Sequence, residues 1–297
     1  MPPFTRRPKT EFRRCPPDQF RVRLHLSYDG TEFHGWQRQT DELGNQTFVT
    51  GQGTIEAAVK QIFGEKISVV GSSRTDAGVH AQMQVAHFDC KRDPASFKDL
   101  RYSLQSLTPK WLVVKELFLA PEDFHSIACA VDKTYRYSIL NRRLPSALRH
   151  RTTWWLREPL DLDLLNEASR FLIGTHDFKS FQTSGTYTET TVRTITKAEW
   201  RYSNPSVAFG AENTKSNLEV ADTFLFEIQG EGFLKQMVRN IVGTLVDLQL
   251  NGRRPRDMKT IIEALDRRKA GNTAPAEGLF LTEVRYPPEL DKRCLRL

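Results

Sequence analysis

The chain has little cysteine: Cys15, Cys90, Cys129 and Cys294 are the four in 297 residues. Successive gaps of 75, 39 and 165 residues leave no CxxC pair and no zinc-ligand spacing. A reduced, cytoplasmic protein without metal is the expectation. No apolar run approaches the ~18 residues that a membrane span needs. The longest, Ile241 to Leu250, is interrupted by Asp247. No secretory h-region follows the start: Met1 to Arg14 holds Arg6, Arg7, Lys9, Arg13 and Arg14 among prolines. No G-K-[ST] occurs and Gly51-Gln52-Gly53 lacks a third glycine, which disfavours P-loop and dinucleotide chemistry. H-x-E and P-C-x-x-C are both absent, which excludes a zinc base deaminase.

What is present is positive charge. Lys and Arg number 43 against 36 Asp and Glu, a formal net charge of +7. Met1 to Arg14 accounts for +4 of it and Glu289 to Leu297 for +1, so Cys15 to Pro288 keeps only +2. Net charge therefore says little, and local clusters matter more. One cluster is Arg142, Arg143, Arg149, Arg151 and Arg157, with Trp154 and Trp155 among them. The other is Arg253, Arg254, Arg256, Lys259, Arg267, Arg268 and Lys269. Either offers places for phosphates, although a solvated surface is the ordinary reading of any one of these side chains.

At roughly 150 residues per domain, the length suggests two domains. Phe20 to Tyr28 alternates apolar and polar, which predicts a half-buried strand. Ile55, Val59 and Ile62 predict a helix closed by Gly64. Short strands at Ile67–Val70 and Gln84–Phe88, a helix over Phe97–Leu107 and a strand at Trp111–Leu119 complete a β-α-β-β-α-β half. A second half reads β-α-β-β-α-α-β, from Tyr135 to Tyr286. Within it Val192, Thr194, Thr196, Ala198 and Trp200 are expected on one strand face. The fold class is therefore α+β: two ferredoxin-like, RRM-like halves with mostly antiparallel sheets and a central active-site cleft. The expected boundaries are a disordered basic tail over 1–19, domains over 20–120 and 121–288, and a tail over 289–297. Thr40 to Thr50 and Ser203 to Asn217 read as long loops.

The string Gly71-Ser72-Ser73-Arg74-Thr75-Asp76-Ala77-Gly78-Val79-His80-Ala81 stands out. One Asp-Gly neighbourhood alone is common turn chemistry. Six further strings accompany it in order. They are Tyr28-Asp29-Gly30 with Phe33 to Gln39, Gly53-Thr54-Ile55-Glu56, Phe124-His125-Ser126 with Lys133 to Tyr137, Gly174 to Phe178, Phe233 to Gly243, and Ala274 to Leu279. Together they resemble the tRNA pseudouridine synthase A family, with its GxGRTDxGVHA loop, over about Phe20 to Tyr286. Ser73 stands where that pattern has Gly, and Ile127 where many members have Arg.

The resemblance implies an isomerase that converts uridine to pseudouridine in tRNA, with no metal or cofactor. The targets it implies lie in the anticodon arm, at positions 38, 39 and 40. It implies Asp76 as the nucleophile, Arg239 as its ion-pair partner and Tyr135 as the ring that stacks on the target base. Arg74 is implied to assist base flipping, and Phe124 and His125 to line the RNA path. A homodimer in the cytoplasm, with tRNA as partner and no membrane association, is implied as well. Residue chemistry agrees: a shielded carboxylate needs a fixed cation, and a guanidinium supplies one in fork geometry. Whether the carboxylate attacks ribose C1′ or uracil C6 stays open. The rival reading is a non-catalytic RNA-binding module of RRM-like fold. It would need RNP-like aromatic strings, and none occurs.

Overall fold

A computed structural model describes residues 14–41, 47–203 and 222–297. The Thr40–Thr50 and Ser203–Asn217 loops fall partly or mostly outside those residues, as do the first thirteen positions. The described residues form six α-helices and strands that pair mostly antiparallel, a mixed α+β protein. The chain divides into two units, Met1–Lys133 with Leu281–Leu297, and Thr134–Phe280.

In the first unit the order is β1 (Phe20–Tyr28), α1 (Gly51–Phe63), β2 (Val70–Gly71), β3 (His80–Cys90), α2 (Leu100–Ser106) and β4 (Leu112–Ala120). β1 lies between β4 and β3, antiparallel to both, and β2 pairs with β3. Thr50 caps α1 by accepting from the Gly53 amide, and Gly64 closes it in the left-handed region. Val22, Leu24 and Leu26 of β1 are fully buried, as are Ile55 and Val59 of α1 and Leu104 of α2.

The other face of β1 departs from expectation. Arg21 and Arg23 are buried too, so the strand is covered on both sides. Arg21 forks onto Asp89 at 2.7 and 2.8 Å. Arg23 sits over the rings of Tyr286, Phe124 and Phe118, 4.6, 5.1 and 5.8 Å from their centroids, and bonds Asp291. The cover is the expected C-terminal tail. It forms α6 (Pro288–Asp291), which buries Leu290, and β11 (Leu295–Arg296), which pairs with β4. Arg293 forks onto Asp123 at 2.9 and 3.0 Å. Polar composition hid this, because the charges are used in pairs. At the other end, residues 14–19 of the expected basic tail are described and in part packed: Cys15 is buried and its amide bonds the Glu122 carbonyl.

The second unit contains most of β5 (Asp132–Asn141), then β6 (Trp154–Leu156), α3 (Leu162–Ser169), β7 (Gly174–Asp177), β8 (Val192–Tyr202), β9 (Thr223–Gly230), α4 (Met237–Leu250) and α5 (Asp257–Glu263). β10 (Leu279–Arg285) returns the chain to the first unit. The strand order is β5-β9-β8-β7, with β6 parallel to the end of β5. On β8 the expected single face fails. A register shift between Ile195 and Lys197 turns Ile195 inward with Ala198 and Trp200, and leaves Thr196 exposed. α4 is buried almost all round, which is why its sequence is apolar on nearly every side.

Candidate active site

In the first unit the Asp76 loop leaves β2 at Gly71 and enters β3 at His80. Within it, the amide of Val79 donates to the Asp76 carbonyl at 3.1 Å, closing a turn. Asp76 is half-buried and Arg74 exposed, whereas Ser72, Ser73, Thr75 and Val79 are buried. The two candidate side chains thus stand on a loop most of whose neighbouring residues are buried, with Ala77 exposed beside them.

Buried polar groups hold that loop. Gln84, fully buried on β3, takes the Ser73 amide at 3.2 Å and donates to the Ser73 carbonyl at 2.6 Å. The Tyr28 hydroxyl meets Thr75 Oγ1 at 2.8 Å, and Gln84 Nε2 reaches the same hydroxyl at 3.4 Å. The Trp36 amide donates to the Thr75 carbonyl at 3.0 Å, and the Gly78 amide to the Phe33 carbonyl at 3.2 Å. Gly35 has φ +92°, and a Cβ there would stand 2.8 Å from the Thr75 oxygen. At Gly71 a Cβ would stand 2.2 Å from Nε1 of the Trp36 indole. The Tyr28–Gln39 string and the Asp76 string are therefore two halves of one packed object. Asp29 and His80 support it: Asp29 accepts from the Thr31 amide, and the Gly30 amide donates to His80 Nδ1 at 3.0 Å. Asp29 Oδ1 also lies 3.2 Å from His80 Nδ1, so the two side chains and the Gly30 amide meet at one point.

Phe124 and His125 belong to a different cluster of the first unit. Phe124 is fully buried, under the Arg23 guanidinium and against the Tyr286 ring at 5.2 Å. It has no face to offer RNA and instead anchors the turn that carries His125. His125 Nδ1 accepts from the amides of Ile127 and Ala128, at 3.2 and 3.3 Å. Its ring meets His87 at 4.7 Å. Burial, with Arg21 and His125 beside it, pushes His87 down to about 3. Burial also lowers His125, again with Arg21 adding to the effect. Both imidazoles line a cavity of about 360 Å³ together with Arg21, Lys66 and Asp89, and no residue of the Asp76 loop lines it.

In the second unit Tyr135 is buried on β5 with Phe233 edge-on to its ring at 5.2 Å. Arg239 is half-buried in the first turn of α4. Its Nε donates to the Ala274 carbonyl at 2.7 Å, and the Ala274 amide returns a bond to the Arg239 carbonyl at 3.1 Å. The neighbouring Asn240 bonds the Phe181 carbonyl, Arg267 and Thr273. Gln236, just before the helix, is held at φ 58°, and its Oε1 takes the Thr183 hydroxyl at 2.8 Å. A non-glycine residue in that region marks local strain. The Phe233–Gly243 string and the Ala274–Leu279 string are thus locked around Arg239.

The basic clusters are more compensated than their sequence suggests. Arg267 points inward, bonding the Gly271 carbonyl at 2.9 Å and Asn240. Arg268 pairs with Asp266, Arg253 with Asp257, and Lys259 with Glu263. In the other cluster Arg142 and Arg149 share Asp222, at 3.3 and 3.4 Å.

Gln84, Trp36 and Phe233 were not legible as site residues from the sequence. A glutamine among the apolar positions of a strand was the available signal for Gln84.

Comparison with known proteins supplies the context. The family described as tRNA pseudouridine synthase matches residues 26–126 and 168–287. A tRNA pseudouridine synthase A of Bdellovibrio bacteriovorus is 47% identical over 279 residues, 93% of this chain and 99% of that protein. The enzyme so named from Acetivibrio thermocellus is 41% identical over 89% of this chain and 99% of its own length. That from Thermotoga petrophila is 36% identical over 90% and 99%. The chain belongs to the tRNA pseudouridine synthase family, isomerases that convert uridine to pseudouridine in tRNA.

Proposed function

We propose that this protein isomerises uridines of the tRNA anticodon arm, at positions 38, 39 and 40, with Asp76 as nucleophile. The observation that carries the reading is the Asp76 loop itself. Buried Gln84, Tyr28 and Thr75 fix its backbone, while Asp76 stays half-buried and Arg74 exposed. Such fixing supplies the preorganisation that attack on one atom of one nucleotide requires. The Asp76 carboxylate attacks ribose C1′ or uracil C6. The N1–C1′ bond breaks with its electron pair passing to the base, the base turns, a C5–C1′ bond forms, the carboxylate–carbon bond breaks to free Asp76, and the C5 proton leaves as N1 gains one. Atoms and electrons balance without an oxidant.

Arg239 is the cation proposed to hold Asp76 ionised, its orientation set through the Nε–Ala274 bond. Tyr135, steadied by Phe233, stacks on the extruded base. Arg74 helps the target leave the stack. Phe124 acts only through the His125 turn, which lies along the RNA path. The first unit's strand order β4-β1-β3-β2 supports a split βαβ, ferredoxin-like reading of that half. The protein works as a cytoplasmic homodimer on tRNA, and no helix of the described residues is long and apolar enough to cross a membrane.

The test is tritium release from tRNA carrying 5-tritiated uridine, run in EDTA. Asp76→Ala is expected to abolish release while tRNA binding survives. Wild-type turnover by that variant overturns the nucleophile assignment. Mapping pseudouridines in tRNA from a strain lacking the protein checks the positions, and sedimentation of the purified enzyme checks the dimer.

A further inference from the structure

The side chain of Lys133 reaches the start of the Asp76 loop. Its Nζ donates to the Ser72 carbonyl at 2.5 Å. Ser72 is the first residue beyond β2, and its amide is already used by the Val85 carbonyl at 2.7 Å. Lys133 therefore takes the one backbone polar group of Ser72 that the β3 side does not hold. Next along, Gln84 takes both polar groups of Ser73. The entry to the loop is thus fixed by two side chains in series, one from β3 and one from β5.

The choice of a lysine for this bond needs explaining. A serine, glutamine or tyrosine could satisfy one carbonyl without bringing a charge. Burying an ammonium costs several kcal/mol unless an anion answers it. The adjacent carboxylate does not answer it: Asp132 leaves the strand on the opposite face and forks onto Arg285. Burial alone pulls Lys133 down to about 8, with no charged neighbour contributing. The residue thus combines a bond to the nucleophile loop with a desolvated positive charge. Lys133 is also two places before Tyr135 on β5, so the two side chains leave the strand on the same face.

We propose that Lys133 is a positioning residue for catalysis: through the Ser72 carbonyl it fixes where the Asp76 loop leaves β2, and so where the carboxylate stands. This rests on the Asp76 reading. Lys133 touches no reacting atom, and its removal acts through the loop. The consequence falls on the chemical step, because a misplaced nucleophile slows reaction more than it weakens tRNA binding.

The experiment uses the full-length protein and three variants, Lys133→Met, Lys133→Arg and Lys133→Gln, with Asp76→Ala alongside. Tritium release gives kcat and KM for tRNA, and thermal melting confirms folding. Lys133→Met is expected to lose about tenfold or more in kcat, with KM changed less than threefold. Lys133→Arg, which keeps a charged donor, is expected to recover part of that loss. Lys133→Gln, a neutral donor, falls between Met and Arg. Amide hydrogen exchange at Ser73 to Asp76 is expected to quicken in Lys133→Met and not elsewhere in β3.

Wild-type kcat in a folded Lys133→Met overturns the proposal. So does a loss confined to KM, which would make Lys133 a direct tRNA contact. If Lys133→Met does not fold, the comparison rests on Arg against Gln, and equal kcat for those two, at the wild-type value, overturns it as well. Turnover by Asp76→Ala would instead overturn the nucleophile reading, so the two failures are distinguishable.

Discussion

Gln84 and Ser73 are joined twice. The Ser73 amide donates to Gln84 Oε1 at 3.2 Å, and Gln84 Nε2 donates to the Ser73 carbonyl at 2.6 Å. An amide side chain here imitates a neighbouring strand for one residue. The ladder between β2 and β3 ends at Gly71 and Ala86, and the glutamine extends it just where the backbone must leave to display Arg74 and Asp76.

Substitution of Gln84 is expected to separate the two bonds. Gln84→Leu removes both bonds to the buried Ser73 backbone, at about 1–3 kcal/mol each. Gln84→Glu keeps the acceptor for the amide and sets a carboxylate against the Ser73 carbonyl. Both should lower the melting temperature and cut kcat, Leu by about tenfold or more. Melting curves and tritium release check this, and a Leu variant with wild-type kcat would count against the loop's dependence on Gln84.

Gly35 offers a cleaner perturbation. Its φ of +92° is costly for any residue with a Cβ, and that Cβ would press the Thr75 carbonyl. Gly64 also has positive φ, +74°, with nothing within 4 Å of its would-be Cβ. Each Ala substitution carries a backbone penalty of about 1–3 kcal/mol. Only Gly35→Ala displaces Thr75, and with it Asp76. Gly35→Ala should therefore lower kcat, whereas Gly64→Ala should lower the melting temperature and leave kcat unchanged. Equal kcat for both variants would refute the coupling.

The sequence made the Asp76 loop legible because glycines, an Arg and an Asp are crowded into eleven residues. It made β1 legible through alternation, but misread its outer face. Arg21 and Arg23 look like solvent positions, and only the return of Pro288–Arg296 across β4 and the Asp89 and Asp291 carboxylates make them interior. Those partners are 68 and 268 residues away, beyond any local pattern. The bulge in β8 was hidden for a related reason: period two assumes no inserted residue, and Ile195 and Thr196 trade faces once one is present. Lys133 and Phe233 were visible as letters in motifs, but their jobs are contacts, and contacts are not written in spacing.

Acid should destabilise the fold through its buried histidines. The His87 imidazole is pushed down to about 3 in the native protein, from an ordinary value near 6.5. Between those values the unfolded chain binds a proton that the native protein does not. Stability therefore rises with pH across that window and is lost as pH falls from 6.5 toward 3. His25 and His125, both lowered by burial, act in the same direction. Against burial's upward push, the Arg21 fork holds Asp89 below its usual range, which adds a further loss below about pH 4. His87→Asn removes one titration. Urea unfolding at pH 7, 6, 5 and 4 should show a shallower slope for the variant, by up to about 1.4 kcal/mol per pH unit. Parallel slopes would show that His87 takes up its proton in the native protein as readily as in the unfolded chain.

Arg239→Lys tests fork against charge. Lysine keeps the positive charge but loses the planar pair of donors and the Nε bond to Ala274. The backbone bond from Ala274 to residue 239 remains, and Asn240 still ties α4 to Phe181 and Thr273. The fold should hold, with a melting temperature close to wild type. If Arg239 is the partner of Asp76, kcat should fall by about a hundredfold while KM for tRNA changes little, because a mobile ammonium cannot hold a carboxylate in one orientation. A kcat within threefold of wild type would make Arg239 a structural residue of the Ala274 loop and send the search for the nucleophile's cation elsewhere. A rise in KM alone would place it on the tRNA backbone, where charge counts and geometry does not.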